Sequence, residues 1–422
     1  MGINILNKAK LFKQASIYTG SNILSALVPF MCMPVLTRYL TPEDYGIVAI
    51  MGSMISFMTP FVGMSIHGAI AANYYHDDVD FIRFVRNCLS ILVLSTIAVS
   101  TIVFIFSSPI ARYTLFPADW LWAVIMVCFG QFLLNIQLTI LQVLQKAKNY
   151  GAVQVLNVIC NTVLSIGLIV IFSMNWEGRV WAQIITSAIF LVWAVVFFRS
   201  YGINGLAFDK DYIKKALSFG VPLIPHAISG CLLTIVDRFY IANFVDVATA
   251  GLFVLGAQIG QGISLLTDSF NKAYVPWLFE KLQNITESTK IKLVRYTYIY
   301  FVGILIIAGA YSFVMPYFLG FFVGEKFYSA GNYVWAFAFA GALNGMYYMV
   351  VNYIFYVGNT TALMYRTFGG SIFHIAVSFF LTKSFGAEGA SYAVLLSYFI
   401  IFAIVWQLSS KTYNMPWFGG FK

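Results

Sequence analysis

Residues 149–182 and 359–393 are two versions of one segment. The first opens NYGAVQ at Asn149, crosses an apolar stretch and closes WEGRVWA from Trp176; the second opens NTTALM at Asn359 and closes AEGASYA from Ala387. Asn149 maps to Asn359, Glu177-Gly178 to Glu388-Gly389, and Ala182 to Ala393. The echo continues upstream. Gly20 maps to Gly220, Arg38 in TRYL to Arg238 in DRFY, Gly46 to Gly251 and Pro109 to Pro316, with the separation growing from 200 to 211 residues as small loop insertions accumulate. Duplication within a strongly apolar chain predicts two similar halves, here 1–200 and 201–422, with a transport path between them.

The solvent for such a chain is lipid. It is 60% hydrophobic and 10% charged, where globular domains carry about 25% charged residues. No stretch is polar and long enough for a separate soluble domain. Twelve apolar runs are long enough to cross a bilayer, at roughly 15–37, 46–70, 87–107, 118–143, 151–173, 179–198, 216–241, 249–270, 296–319, 331–357, 366–383 and 388–408. The expected fold is all-α: a polytopic membrane protein of about twelve transmembrane helices, in two pseudo-symmetric six-helix bundles around a central cavity. The first run is too long for a cleavable signal peptide and lacks a small-residue cleavage site. Residues 3–14 put Ile5, Leu6, Ala9 and Phe12 on one face, which predicts a short interfacial helix ahead of the first span.

Charge sets the orientation. Of the 25 lysines and arginines, only Arg38, Arg112, Arg179, Arg238, Lys326 and Lys383 fall on the side opposite the termini. The positive-inside rule therefore places both termini in the cytoplasm. The net charge of +9 is a topology signal that needs no nucleic-acid partner; docking to anionic lipid would use the same charges. The five cysteines are scattered singly in apolar segments, without disulfide or zinc spacing.

Several motifs then resemble one family. TRYLTPEDYG (Thr37 to Gly46), SFGVPLIP (Ser218 to Pro225), DRFYI from Asp237, AGLF from Ala250 and SFNKAYVP (Ser269 to Pro276) are similar, in this order, to segments of the O-antigen and polysaccharide flippases. These belong to the multidrug/oligosaccharidyl-lipid/polysaccharide exporter superfamily. The resemblance covers nearly the whole chain. It implies movement of an undecaprenyl-diphosphate-linked oligosaccharide from the inner to the outer face of the bacterial cytoplasmic membrane, by alternating access. It implies no cofactor. The expected partners are that substrate, the bilayer, and the polymerase and other polysaccharide-assembly proteins. A diphosphate and a sugar cannot cross hydrocarbon without polar partners, so a hydrated, cationic, amide-lined path is expected.

The residues for such a path carry two readings each. Arg38 and Arg238, repeat mates near the outer ends of spans 1 and 7, would hold diphosphate or sugar, or else snorkel or pair with Asp44 and Asp237. His67 and Lys272 coincide at an offset of 205 residues and would bring positive charge to the inner side. Asn73 stands where the family often has an arginine. His226 follows Pro225 in a span that two prolines should bend. Gln258 and Gln261, three apart, are expected sugar contacts. Asp237 and Asp268 are candidate coupling-ion ligands; the other readings are a structural ion pair for Asp237 and pairing with Lys272 for Asp268. His374, alone among apolar residues, reads as structural.

Chemistry that would make this an enzyme is missing from the sequence. There is no phosphate-binding Gly-rich loop ending in Lys-Ser/Thr, no zinc constellation and no Ser/His/Asp arrangement. No catalytic residue or metal site is expected. The alternatives are a cation-coupled multidrug exporter of the same superfamily, or a membrane glycan polymerase or acyltransferase.

Overall fold

A computed structural model describes residues 2–74, 79–283, 285–358 and 360–417; the side chains of residues 2–16, 18, 19, 226, 229, 230, 234, 276, 360 and 361 lie outside that description. The described residues are helical, without strands. The N-terminal part comprises α1 (Gly2–Tyr39), α2 (Pro42–Gly63), α3 (His67–Asn73), α4 (Phe81–Ile105), α5 (Ser107–Thr114), α6 (Leu121–Val143), α7 (Ala147–Ile166), α8 (Trp176–Ser200) and α9 (Lys210–Gly220). Then come α10 (Leu223–Phe244), α11 (Val247–Gly260), α12 (Gly262–Gln283), α13 (Glu287–Phe322), α14 (Gly331–Val357) and α15 (Thr360–Thr412).

Ten stretches among the described residues are long and apolar enough to cross a membrane. The expected seventh span, 216–241, begins in the end of α9 and continues in the 22-residue α10, which is not among the ten. The expected eleventh and twelfth lie together in the 53-residue α15, interrupted at Gly386 (φ 62°, ψ −144°). The interfacial helix expected at 3–14 is continuous with the first span in α1. Large side chains such as Phe104, Ile171 and Phe321 are more than three-quarters exposed, as befits a surface that faces lipid tails.

Local sequence explains the breaks. Between α1 and α2, Thr41 accepts a hydrogen bond from the Asp44 amide (3.1 Å), and the Asp44 carboxylate accepts from the Thr41 amide (2.9 Å) and hydroxyl (2.6 Å). With Pro42 at the first helical position, this is a capping box. The TPED of the first signature is thus a helix stop and restart. α2 ends at Met64 and Ser65, both at positive φ (47° and 48°).

The chain divides into two compact units at Cys231/Leu232. In the first, α1 packs on α7, α2 on α4 and α6, and α8 on α6 and α7. The chain leaving α8 is pinned to α4: Arg83 pairs with Asp209 (2.8 Å), Arg86 donates to the Leu206 carbonyl (3.2 Å) and Ser90 to that of Ala207 (2.7 Å). Asp209 then caps α9, which lies against α3 and α4. This packing places residues 201–220 in the first compact unit.

In the second unit α14 is the hub, packed by α11, α12, α13 and α15. Its small residues permit this. A Cβ on Gly341 would lie 2.9 Å from the Ser264 amide, and one on Gly345 would lie 2.6 Å from Thr267 Cγ2. Close helix approach through small residues is the usual packing device in lipid.

The repeat mates Gly20 and Gly220 have opposite surroundings. A Cβ on Gly20 meets nothing within 4 Å, whereas one on Gly220 would lie 2.2 Å from the Met64 carbonyl oxygen in the left-handed turn after α2. Gly20→Ala is therefore expected to be neutral or to stabilise by about 0.5–1 kcal/mol through helix propensity. Gly220→Ala is expected to destabilise by about 1–3 kcal/mol. Melting of the two variants in mild detergent checks this; equal tolerance would contradict the close approach.

Candidate functional site

The second unit buries a polar cluster around one carboxylate, that of Asp237. Asp237, on α10, is 1% exposed; His374, Ser378 and Ser397, on α15, are 1% or less. His374 Nε2 lies 3.4 Å from Asp237 Oδ2, an ion-pair separation. Ser378 donates a short hydrogen bond to Asp237 Oδ1, and His374 Nδ1 meets Ser397 Oγ at 3.0 Å. His374 and Ser378 are four apart and share a helix face, so both reach one carboxylate.

Ser397 reaches the same imidazole because α15 reverses. Twenty-three residues of continuous helix would separate His374 from Ser397 by about 34 Å. They touch because Gly386, midway between them, takes a backbone conformation open to glycine. Gly370 meets Ile401 across the same fold.

Of the two ring nitrogens, Nδ1 is in hydrogen-bond contact with Ser397, while Nε2 faces the Asp237 carboxylate at ion-pair distance without a hydrogen bond.

The other expected site residues lie on α1, α3 and α10 to α12. Arg38 is exposed in the last turn of α1, where its charge suits the helix C-terminus; Asp44 is engaged by Thr41 instead. Arg238 is half-buried on α10. His67 is exposed at the start of α3, its ring edge-on to Phe132 at 5.5 Å. Asn73 ends α3, buried, donating to the Ala69 carbonyl (2.9 Å) while its own carbonyl oxygen has no partner. The His226 side chain lies outside the described residues.

Gln258 is exposed on α11, and Gln261 is exposed at the junction where α11 gives way to α12. Lys272 is exposed on α12. Asp268, one turn earlier, has a carboxylate oxygen without a hydrogen-bond partner, and no ion pair joins it to Lys272 among the described residues. No group of three or more His, Cys, Asp or Glu suited to a metal ion occurs among the described residues.

The buried residue facing Asp237, which sequence reasoning did not pair with it, is His374. A lone histidine in an apolar run carries no mark of its partner 137 positions away. The one available hint was Ser378, a further polar residue one turn on along the same face.

Long apolar helices broken by capped and glycine-kinked junctions define a multi-pass helical membrane protein. The chain belongs to the polysaccharide biosynthesis protein family, whose profile matches residues 11–282. Two Haemophilus influenzae relatives align along most of their lengths. An uncharacterized membrane protein is 27% identical over 84% of this chain and 86% of its own. Lsg locus putative protein 1 is 25% identical over 95% and 98%. The fold is shared with solved transport proteins. The lipid II flippase MurJ, in its inward closed conformation, superposes with a TM-score of 0.73 at 13% identity, covering 93% of this chain and 87% of that one. The MATE multidrug transporter DinF-BH gives 0.63 at 15% identity over 97% of each.

Proposed function

We propose that this protein is a flippase for an undecaprenyl-diphosphate-linked oligosaccharide, an O-antigen or related repeat unit. It carries the unit from the cytoplasmic to the outer leaflet of the bacterial inner membrane by alternating access, with both termini cytoplasmic and the two sequence halves as the repeats. The observation that carries this reading is the family match over 11–282, the polysaccharide biosynthesis family. The fold shared with a lipid II flippase supports it. The protein acts as a carrier and not an enzyme, and hands its cargo to the polymerase and assembly proteins.

In this reading Arg38, Arg238 and Lys272 supply positive charge to the diphosphate, supported by His67, while His226, Asn73, Gln258 and Gln261 meet sugar hydroxyls. Asp237, with His374, is the coupling site, and the half-satisfied carboxylate of Asp268 is a second candidate. Charge reversal tests the cations. Arg38→Glu, Arg238→Glu and Lys272→Glu are expected to lower surface glycan at least tenfold at unchanged membrane abundance. Lys411→Glu, at the exposed end of α15, serves as the control. Full glycan display from all three reversals would remove these residues from the path.

A second reading, a cation-coupled exporter of small amphipathic compounds, is favoured by one observation: a buried acid on α10 in a fold shared with multidrug transporters. Drug accumulation in cells lacking the protein separates the two.

A further inference from the structure

The first unit contains a polar cavity of about 250 Å³, walled by α1, α6, α7 and α8. Its polar lining includes Arg179, Gln183, Thr186, Gln131, Asn157 and Asn161, and no carboxylate. The spacing is helical on two walls: Asn157 and Asn161 are one turn apart on α7, and Arg179, Gln183 and Thr186 follow one face of α8. Gly130 lets α6 and α8 close up here, since a Cβ on it would lie 2.7 Å from that of Ser187.

The lining is under-satisfied in a specific way. Arg179 donates from Nη1 to Ser165 Oγ at 2.6 Å, and no carboxylate pairs with it among the described residues. That bond uses one of the guanidinium's five N–H donors. Thr186 is 3% exposed, and its hydroxyl has no partner; neither has the side-chain carbonyl oxygen of Gln183. Buried polar groups left in this state cost free energy unless something binds them. A cation is the wrong occupant, because Arg179 already places a fixed positive charge there. A bare phosphate is a poor one: it would use the guanidinium and amide N–H groups but offer little to the acceptor oxygen of Gln183. A hydroxylated anion satisfies both sets, its carboxylate on the guanidinium and its hydroxyls donating to and accepting from amides.

The geometry points to a binding subsite in the first unit for a carboxylate-bearing sugar residue, a uronic acid or its like, with Arg179 on the carboxylate and Gln183, Thr186, Asn157 and Asn161 on the hydroxyls. This deepens the flippase reading, on which it rests for the source of the ligand: the lipid-linked unit carries an acidic sugar.

The test uses the full-length protein in nanodiscs, titrated calorimetrically with free D-glucuronate, D-glucose and inorganic phosphate. Glucuronate is expected to bind saturably and at least tenfold more tightly than either of the others. Arg179→Gln is expected to lose at least tenfold in that affinity. Asn161→Ala, which keeps the charge, should weaken glucuronate severalfold, and it carries the test if Arg179→Gln does not fold. Glucose binding as well as glucuronate, phosphate binding as well as glucuronate, or wild-type affinity in the variants would each overturn the proposal. Because the ligand is free sugar acid, failure here leaves lipid-linked glycan transport to be measured separately; failure of transport would likewise leave a measured affinity standing.

Discussion

Asp237→Ala should destabilise the second unit by about 3–5 kcal/mol, because it removes the carboxylate that His374 and Ser378 converge on and leaves their polar atoms buried. His374→Ala should cost a comparable amount for the mirror-image reason: Asp237 would be a buried carboxylate with one serine for company. Removing both at once should cost little more than either alone, because neither is then left unpaired. Melting of the four proteins in mild detergent reads the cycle, and simple additivity would contradict an energetic pairing. Asp237→Asn separates structure from transport. It keeps the shape and a partner for Ser378 but cannot ionise. With the coupling role proposed for Asp237, surface glycan is expected to fall at least tenfold in this variant while melting stays within a few degrees of the parent.

The second large effect is expected at Gly389. A Cβ there would lie 2.0 Å from the Leu381 carbonyl oxygen and 2.5 Å from its carbon. Both are backbone atoms, and Gly389 is three residues from the Gly386 kink, so they cannot yield without opening the fold-back that brings Ser397 to His374. Gly389→Ala should cost about 3 kcal/mol, at the upper end of overpacking effects. Its repeat mate Gly178 gives the internal control. A Cβ there meets Met174 Cβ at 3.0 Å and Ile169 Cγ1 at 3.1 Å, which are side-chain atoms free to shift by a few tenths of an ångström. Gly178→Ala should cost about 1 kcal/mol or less. Purified yield and melting temperature of the two variants decide it, and equal losses would contradict the account of the kink.

These two cases show what the sequence made legible. The duplicated Glu-Gly was visible as a repeat, and Gly389 in it lies beside the Gly386 turn. Thr41, Pro42 and Asp44 carry the order of a capping box, a local signal that the reading by apolar runs passed over. The eleventh and twelfth spans, read as separate runs at 366–383 and 388–408, meet at the Gly386 kink, where the chain folds back on itself. The Asp237–His374 pairing was hidden. Each residue is ordinary in its own run, and only the packing of α10 on α15 makes them partners. Arg179 was read as one of a few charges on the outer side; its place beside Thr186 and Gln183 depends on how α8 is rotated against α6 and α7, which hydrophobic patterning did not specify.

The central claim is translocation, and one measurement meets it directly: the sidedness of the lipid-linked oligosaccharide in cells carrying or lacking this protein, read with a membrane-impermeant probe of the glycan. The account predicts that loss of the protein traps the oligosaccharide on the inner face, beyond the probe, and that re-expression restores labelling. Full labelling of single lipid-linked units in cells without the protein, and without a second flippase, would contradict it.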